Sequence, residues 1–188
     1  MNSFVENLQS PTDGGVVTTL YGAPNTLVAG ARNELPEKHG VHAGVDIANP
    51  VTNNIYSIAN GIVVWTGIES NNGGNKVVIR HNYDTETYYS LYFHLADFVV
   101  AVGEEVNKGT IIGQMGNTGM GYNNPYDNIH LHFEVRTETG VGPQDINKPF
   151  IYPGGLWWAK SSSSILTNWV DISSRFGGYD PYLPDSWR

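Results

Sequence analysis

The chain has 188 residues, with 22 glycines, 10 prolines and no cysteine. Ten Lys and Arg against eighteen Asp and Glu give a formal net charge of −8. This excludes a basic face that neutralises phosphates, and with it nucleic acid as a partner, and it argues against adsorption to anionic membranes.

Without cysteine there is no disulfide framework and no thiolate metal site, so any metal must be held by His, Asp or Glu. The length is enough for one sizeable core. No apolar run is long enough to cross a membrane, so membrane insertion is not expected. Residues 1–10 carry an acidic residue and no apolar h-region. That predicts either a leader already removed or another route out of the cell.

Taken in order, residues 1–14 read as a polar N-terminal segment ending in the turn signal Pro11-Thr12-Asp13-Gly14. Val16-Val17-Thr18-Thr19-Leu20-Tyr21 predicts a first strand, stopped by Gly22-Ala23-Pro24. Residues 24–41 lack a clean period and predict a long surface loop, a feature that in compact domains is functional or disordered. Ile55-Tyr56-Ser57-Ile58 and Ile62-Val63-Val64-Trp65-Thr66-Gly67 flank Asn60-Gly61, which predicts a hairpin. Lys76 to His81 and Thr87 to Leu95 predict two further strands. Val102 to Gly119 resembles the short hairpin of a lipoyl-type β fold. Strand follows strand, no long amphipathic helix is found, and the fold class expected is all-β or β-rich, with antiparallel sheets.

The most informative stretch is Asn128-Ile129-His130-Leu131-His132-Phe133-Glu134-Val135. Strict alternation predicts a half-buried strand with His130, His132, Glu134 and Arg136 on one face. Leu131, Phe133 and Val135 then enter the core. The two histidines stand ~6.5–7 Å apart at Cα, from the strand rise. Both can serve one metal ion, or one can bind while the other works beside it. On its own, such a pair is more often two surface histidines than a site. The other histidines are His39, His42, His81 and His94. His42 lies four residues before Asp46, and nitrogen and oxygen donors of this kind suit Zn2+. His42, Asp46 and one of the H-x-H pair make three ligands and leave a fourth position for water. His94 follows an aromatic strand and can add an imidazole. His39 and His81 read as surface or supporting groups.

Together, H-x-x-x-D at His42 and Asp46, Tyr92-Phe93-His94-Leu95, Gly116-Asn117-Thr118-Gly119 and His130-Leu131-His132-Phe133-Glu134-Val135 resemble the lysostaphin-type, or LytM-like, zinc endopeptidases. The resemblance runs from about residue 15 to 149. Each motif is weak alone; their order and spacing make the signal specific. It implies a groove-bearing fold of duplicated hybrid motifs with long loops, one zinc ion per chain, and peptidoglycan peptides as substrate. It also implies an extracellular or cell-envelope location. It assigns His42, Asp46 and His132 to the metal and His94 and His130 to catalysis. Tyr92 and Asn117 are expected as polar groups of the groove, and Glu134 either orients an imidazole or pairs with Arg136. Two departures concern the groove walls. Tyr21-Gly22-Ala23-Pro24 lacks the usual arginine after the early aromatic-glycine pair, and the link from Gly119 to His130 is long.

The expected organisation is an N-terminal segment (1–14), an endopeptidase domain (15–150) and an aromatic extension (151–188). The extension holds Trp157, Trp158, Trp169 and Trp187 and balances its charges. It is too short for an independent core and is expected to pack on the domain, or to offer ring faces to a sugar or partner. Three rival readings follow from the same residues. They are a non-catalytic LytM-like binding or activator module, a D-alanyl dipeptide metallopeptidase, and a sugar-phosphotransfer module, which needs neither metal nor Asp46.

Overall fold

The structure, a computed structural model, describes residues 3–19, 41–42, 44–69, 73–119, 128–137 and 158–159. One helical turn, α1 (Ser3–Glu6), precedes β1 (Val16–Thr19), β2 (Val41–His42), β3 (Val45–Ala48), β4 (Asn54–Tyr56) and β5 (Gly61–Glu69). Then come β6 (Gly74–Tyr83), β7 (Glu86–Phe98), β8 (Glu105–Val106), β9 (Ile111–Met115), β10 (Leu131–Thr137) and β11 (Trp158–Ala159). Every ladder among the described residues is antiparallel, as the strand-after-strand sequence predicts. None of their helices is long and apolar enough to cross a membrane.

The main sheet runs β1-β3-β10-β7-β6-β5-β8, and β9 joins it by pairing with both β4 and β7. β7 organises the sheet. One edge pairs with β6, while the other is shared end to end by β10 and β9. A single bridge from Gly116 to His130 closes the junction between those two. Glycine is needed there, because a Cβ at Gly116 would lie 2.5 Å from the Ala96 nitrogen.

Val17, Val45, Ile47, Val77, Ile79, Tyr92, Leu131, Phe133 and Val135 meet on one face of the sheet. Burial of this apolar surface is the main driving force for the fold. The N-terminal segment belongs to the same core. Phe4 stacks on Tyr88, with ring centroids 4.1 Å apart, and Leu8 is buried beside it. The polar reading of residues 1–14 therefore overlooked two apolar anchors.

Three local expectations are corrected. Asn60-Gly61 does not close a hairpin, since β4 pairs with β9 while β5 pairs with β6 and β8. Long-range partners take the backbone groups instead: Ser57 N–H reaches the Thr110 carbonyl, and Ile58 N–H reaches the Tyr92 hydroxyl. Likewise β8 and β9 do not pair with each other, so the lipoyl-like hairpin is absent. Finally, β10 is not half-buried. Its polar face is as covered as its apolar one, with His132, Glu134 and Arg136 at most 2% exposed.

Residues 24–40 of the expected long loop and the groove-wall departures at 21–24 and 120–127 lie outside the described residues, as does nearly all of 151–188, while Val41 opens β2. Of the extension, Trp158–Ala159 pairs with Val41–His42.

Candidate functional site

β10 sits between β3 and β7, and residues paired across antiparallel strands share a face. His132 is opposite Asp46 on one side and Phe93 on the other. The result is a row of three side chains, Asp46, His132 and Phe93, across the sheet. His132 Nδ1 lies 2.9 Å from Asp46 Oδ1, and the edge of its ring meets Phe93 at 5.2 Å. Its other nitrogen, Nε2, lies 3.0 Å from Glu134 Oε1. Glu134 Oε2 also accepts a hydrogen bond from Arg136 Nε at 2.8 Å, and the ion pair brings Nη2 to 2.6 Å from the same oxygen. One Glu134 carboxylate oxygen thus faces His132 and the other faces Arg136.

This line of charges carries its own electrostatics. Burial alone would lower the His132 pKa, but hydrogen bonds to Asp46 and Glu134 and their negative charge outweigh it and raise it to about 9. A carboxylate oxygen only accepts, so both His132 nitrogens face acceptors. The ring thus lies between two carboxylates, and Arg136 offsets the charge of the second.

His94 reaches the site by breaking the rule of alternation. Phe93 faces His132, so Tyr92 and His94 should face the core. Tyr92 does, with its ring 5.0 Å from Phe133. His94 has φ 62 and turns back, placing its ring 4.8 Å from His130 and 6.3 Å from His132. β7 carries an extra residue here: Val77 pairs with Tyr92 but Asn75 pairs with Leu95. That is a β-bulge, a device that re-aims a side chain.

Both outer imidazoles are held by backbone carbonyls. His94 Nδ1 donates to the Thr118 carbonyl at 2.9 Å, and His130 Nδ1 donates to the Asn128 carbonyl at 2.8 Å. A carbonyl can only accept, so the proton of each neutral ring sits on Nδ1 and the lone pair on Nε2. His130 Nε2 lies 4.0 Å from Asp46 Oδ1. Burial, then repulsion from His130 and His132, holds His94 well below its ordinary pKa, so it is neutral at pH 7. Sequence reasoning missed Thr118 and Asn128, because a main-chain carbonyl leaves no residue-type signal.

Asp46, His94, His130, His132 and Glu134 are thus brought together. His42 lies on β2, but its side chain is outside the described residues. Among the described residues no three His, Asp or Glu side chains form a metal-holding cluster. Asn117 is half-buried beside the Gly116–His130 bridge. Tyr92 is not a groove residue. It is fully buried, its hydroxyl accepts from Ile58 N–H, and burial raises its pKa to about 12. His81 is not at the surface either. It is 1% exposed, with Nδ1 on the Asn60 carbonyl and Nε2 2.7 Å from Ser90 Oγ. His39 lies outside the described residues.

A model of peptidase family M23 matches residues 40–145, more than half of the chain and the whole of this site. The chain belongs to peptidase family M23. Its M23 domain is 38% identical over 94 residues to the peptidoglycan DD-endopeptidase ShyA of Vibrio cholerae, covering 50% of this chain and 20% of that protein. It is 33% identical over 126 residues to the murein hydrolase activator NlpD of Escherichia coli, covering 67% and 27% respectively. The chain thus spans less than a third of either relative. Among solved structures, the catalytic domain of the antimicrobial peptidase lysostaphin from Staphylococcus simulans superposes with a TM-score of 0.50 at 26% identity. That match covers 73% of this chain and 86% of that domain.

Proposed function

We propose that this M23 domain is a zinc-dependent endopeptidase that hydrolyses peptide bonds of bacterial peptidoglycan, working in the cell envelope or outside the cell. One observation carries the reading: Asp46 Oδ1 and His132 Nδ1 face each other at 2.9 Å, with the His94 and His130 rings beside them. With Nε2–H donated to Glu134, Nδ1 carries a lone pair aimed at a carboxylate oxygen. Two such acceptors stand together only around a proton or a metal cation, and a neutral imidazole with a carboxylate suits zinc. His42, four residues before Asp46, completes the three-ligand set that a catalytic zinc site uses.

When bound, zinc supplies Lewis-acid polarisation of the scissile carbonyl and lowers the pKa of water. The chain's own groups do the rest. His94 and His130 each present an Nε2 lone pair fixed by a carbonyl behind Nδ1. Each is therefore suited to take a proton from the attacking water and, once protonated, to donate toward the tetrahedral oxyanion or the leaving amine. The two rings have equivalent tautomers, so either can be the base.

A second reading, a non-catalytic activator, is favoured by the identity to NlpD. The presence of all five residues, His42, Asp46, His94, His130 and His132, supports the enzyme reading over it. The deciding experiment is elemental analysis of the purified protein alongside mass spectrometry of fragments released from purified peptidoglycan. Zinc near one per chain with new amino termini is expected. Intact peptidoglycan in the presence of bound zinc would favour the activator.

A further inference from the structure

The left-handed His94 is a strained residue, and such a residue persists only where its surroundings hold it. We propose that Thr118 is the positioning residue that holds it, with its hydroxyl locking the bulge that turns His94 onto the site face. The inference rests on the reading of His94 as a catalytic group.

Three segments meet at this threonine. Thr118 Oγ1 donates to the Leu95 carbonyl at 2.7 Å and accepts from Asn75 N–H at 2.8 Å. Its own carbonyl takes the His94 Nδ1 proton at 2.9 Å. The start of β6 and the residue before it grip the other side, where His94 N–H reaches the Gly73 carbonyl at 3.1 Å and Asn75 Nδ2 reaches the Ala96 carbonyl at 2.8 Å. Residues 94, 95 and 96 are thus each tied to a segment outside β7. The fit is close: Gly74 has φ +61, and a Cβ there would lie 2.2 Å from the Thr118 carbonyl oxygen.

Thr118 acts only through His94. Its hydroxyl has one proton to give, which goes to Leu95, and it accepts Asn75 with a lone pair. Replacing it with a methyl group removes both bonds at once. The Thr118 carbonyl is then no longer held against Nδ1, and the ring is released from its tautomer and its orientation.

Thr118→Val keeps the shape and removes the hydroxyl; Thr118→Ser keeps the hydroxyl. Thr118→Ala is made in parallel should valine prevent folding. Nitrogen-15 imidazole spectra of the zinc-loaded protein, with the His94 signals assigned by their loss in His94→Ala, report the tautomer. Zinc content, kcat and KM are measured on soluble peptidoglycan peptides. The parent and T118S should show a single Nδ1–H form. T118V should show averaged or shifted nitrogens and a kcat lower by roughly 10²-fold, the scale of a misplaced catalytic group, with KM and zinc content kept. T118S should restore kcat. Parent-like nitrogens and kcat in both T118V and T118A would overturn the proposal, as would an equal loss in T118S. If the parent itself hydrolyses nothing, the enzyme reading fails, while the nitrogen spectra still decide the clamp.

Discussion

Asp46 and His132 face each other across the β3–β10 ladder, 2.9 Å apart between Oδ1 and Nδ1, although 86 positions separate them in the chain. Opposed positions on neighbouring antiparallel strands are the shortest link a sheet offers between distant residues, and here that link joins a carboxylate to an imidazole. The consequences can be tested.

The four site histidines should fall into two classes. His42→Ala and His132→Ala each remove a proposed ligand, so zinc and activity should be lost together. His94→Ala and His130→Ala leave the ligands in place. Zinc should stay near one per chain while turnover falls by roughly 10²–10⁴, the usual worth of a positioned acid–base group. Metal analysis beside hydrolysis rates separates the classes. If His130→Ala empties the site and His132→Ala does not, the roles on β10 are reversed.

Glu134 should matter twice. Glu134→Gln weakens the support behind His132, and zinc affinity is expected to drop about 10–100-fold, as for other groups that orient metal-bound imidazoles. Glu134→Ala also strands the buried Arg136 guanidinium, with a stability cost of roughly 3–5 kcal/mol. Competition with a chelator reads the first effect and urea denaturation the second. Parent-like stability of Glu134→Ala would contradict the ion-pair assignment.

His81 should make stability fall in mild acid. Burial outweighs its hydrogen bond to the Asn60 carbonyl and lowers its pKa to about 4, below the ordinary 6.5 of a histidine. Above pH 6.5 the ring is neutral in both folded and unfolded chains, and its contribution is fully present. As the pH falls toward about 4, the unfolded chain takes up a proton that the folded chain refuses, and about 3 kcal/mol is lost. His81→Gln cannot titrate. The difference in unfolding free energy between parent and variant should therefore shrink from pH 7 to pH 4.5; a constant difference would refute this source of acid sensitivity.

Removing residues 151–188 should affect the proposed metal site. Trp158 pairs with His42, so the extension contributes backbone hydrogen bonds to the strand that carries a proposed ligand. The truncated protein is expected to melt at a lower temperature and to lose zinc to a chelator faster. An unchanged melting temperature with weaker sedimentation on peptidoglycan would instead assign the aromatic rings to wall binding.

Which residues of β10 share a face was legible in the sequence, because a strand's period of two is a property of the backbone alone. That placed His130, His132, Glu134 and Arg136 together, with Leu131, Phe133 and Val135 against the core. The M23 motifs were legible for a related reason, since each is a short local run whose spacing survives without knowledge of its partners. Pairing is different. Asn60-Gly61 looks like a hairpin turn, yet the strands beside it find β9, β6 and β8, because ladder hydrogen bonds go to whichever edge the packed core brings near.

The tertiary structure also decided that both faces of β10 are buried, which turned His132, Glu134 and Arg136 from a solvated face into a chain of buried charges. His94 shows the limit most clearly. Alternation along β7 aims it at the core. Its reversal depends on φ 62 and on bonds to Gly73 and Thr118, residues that reach it only when β6 and the segment after β9 are in place. A local pattern can specify a direction along its own strand, but only distant contacts can hold a residue against that direction.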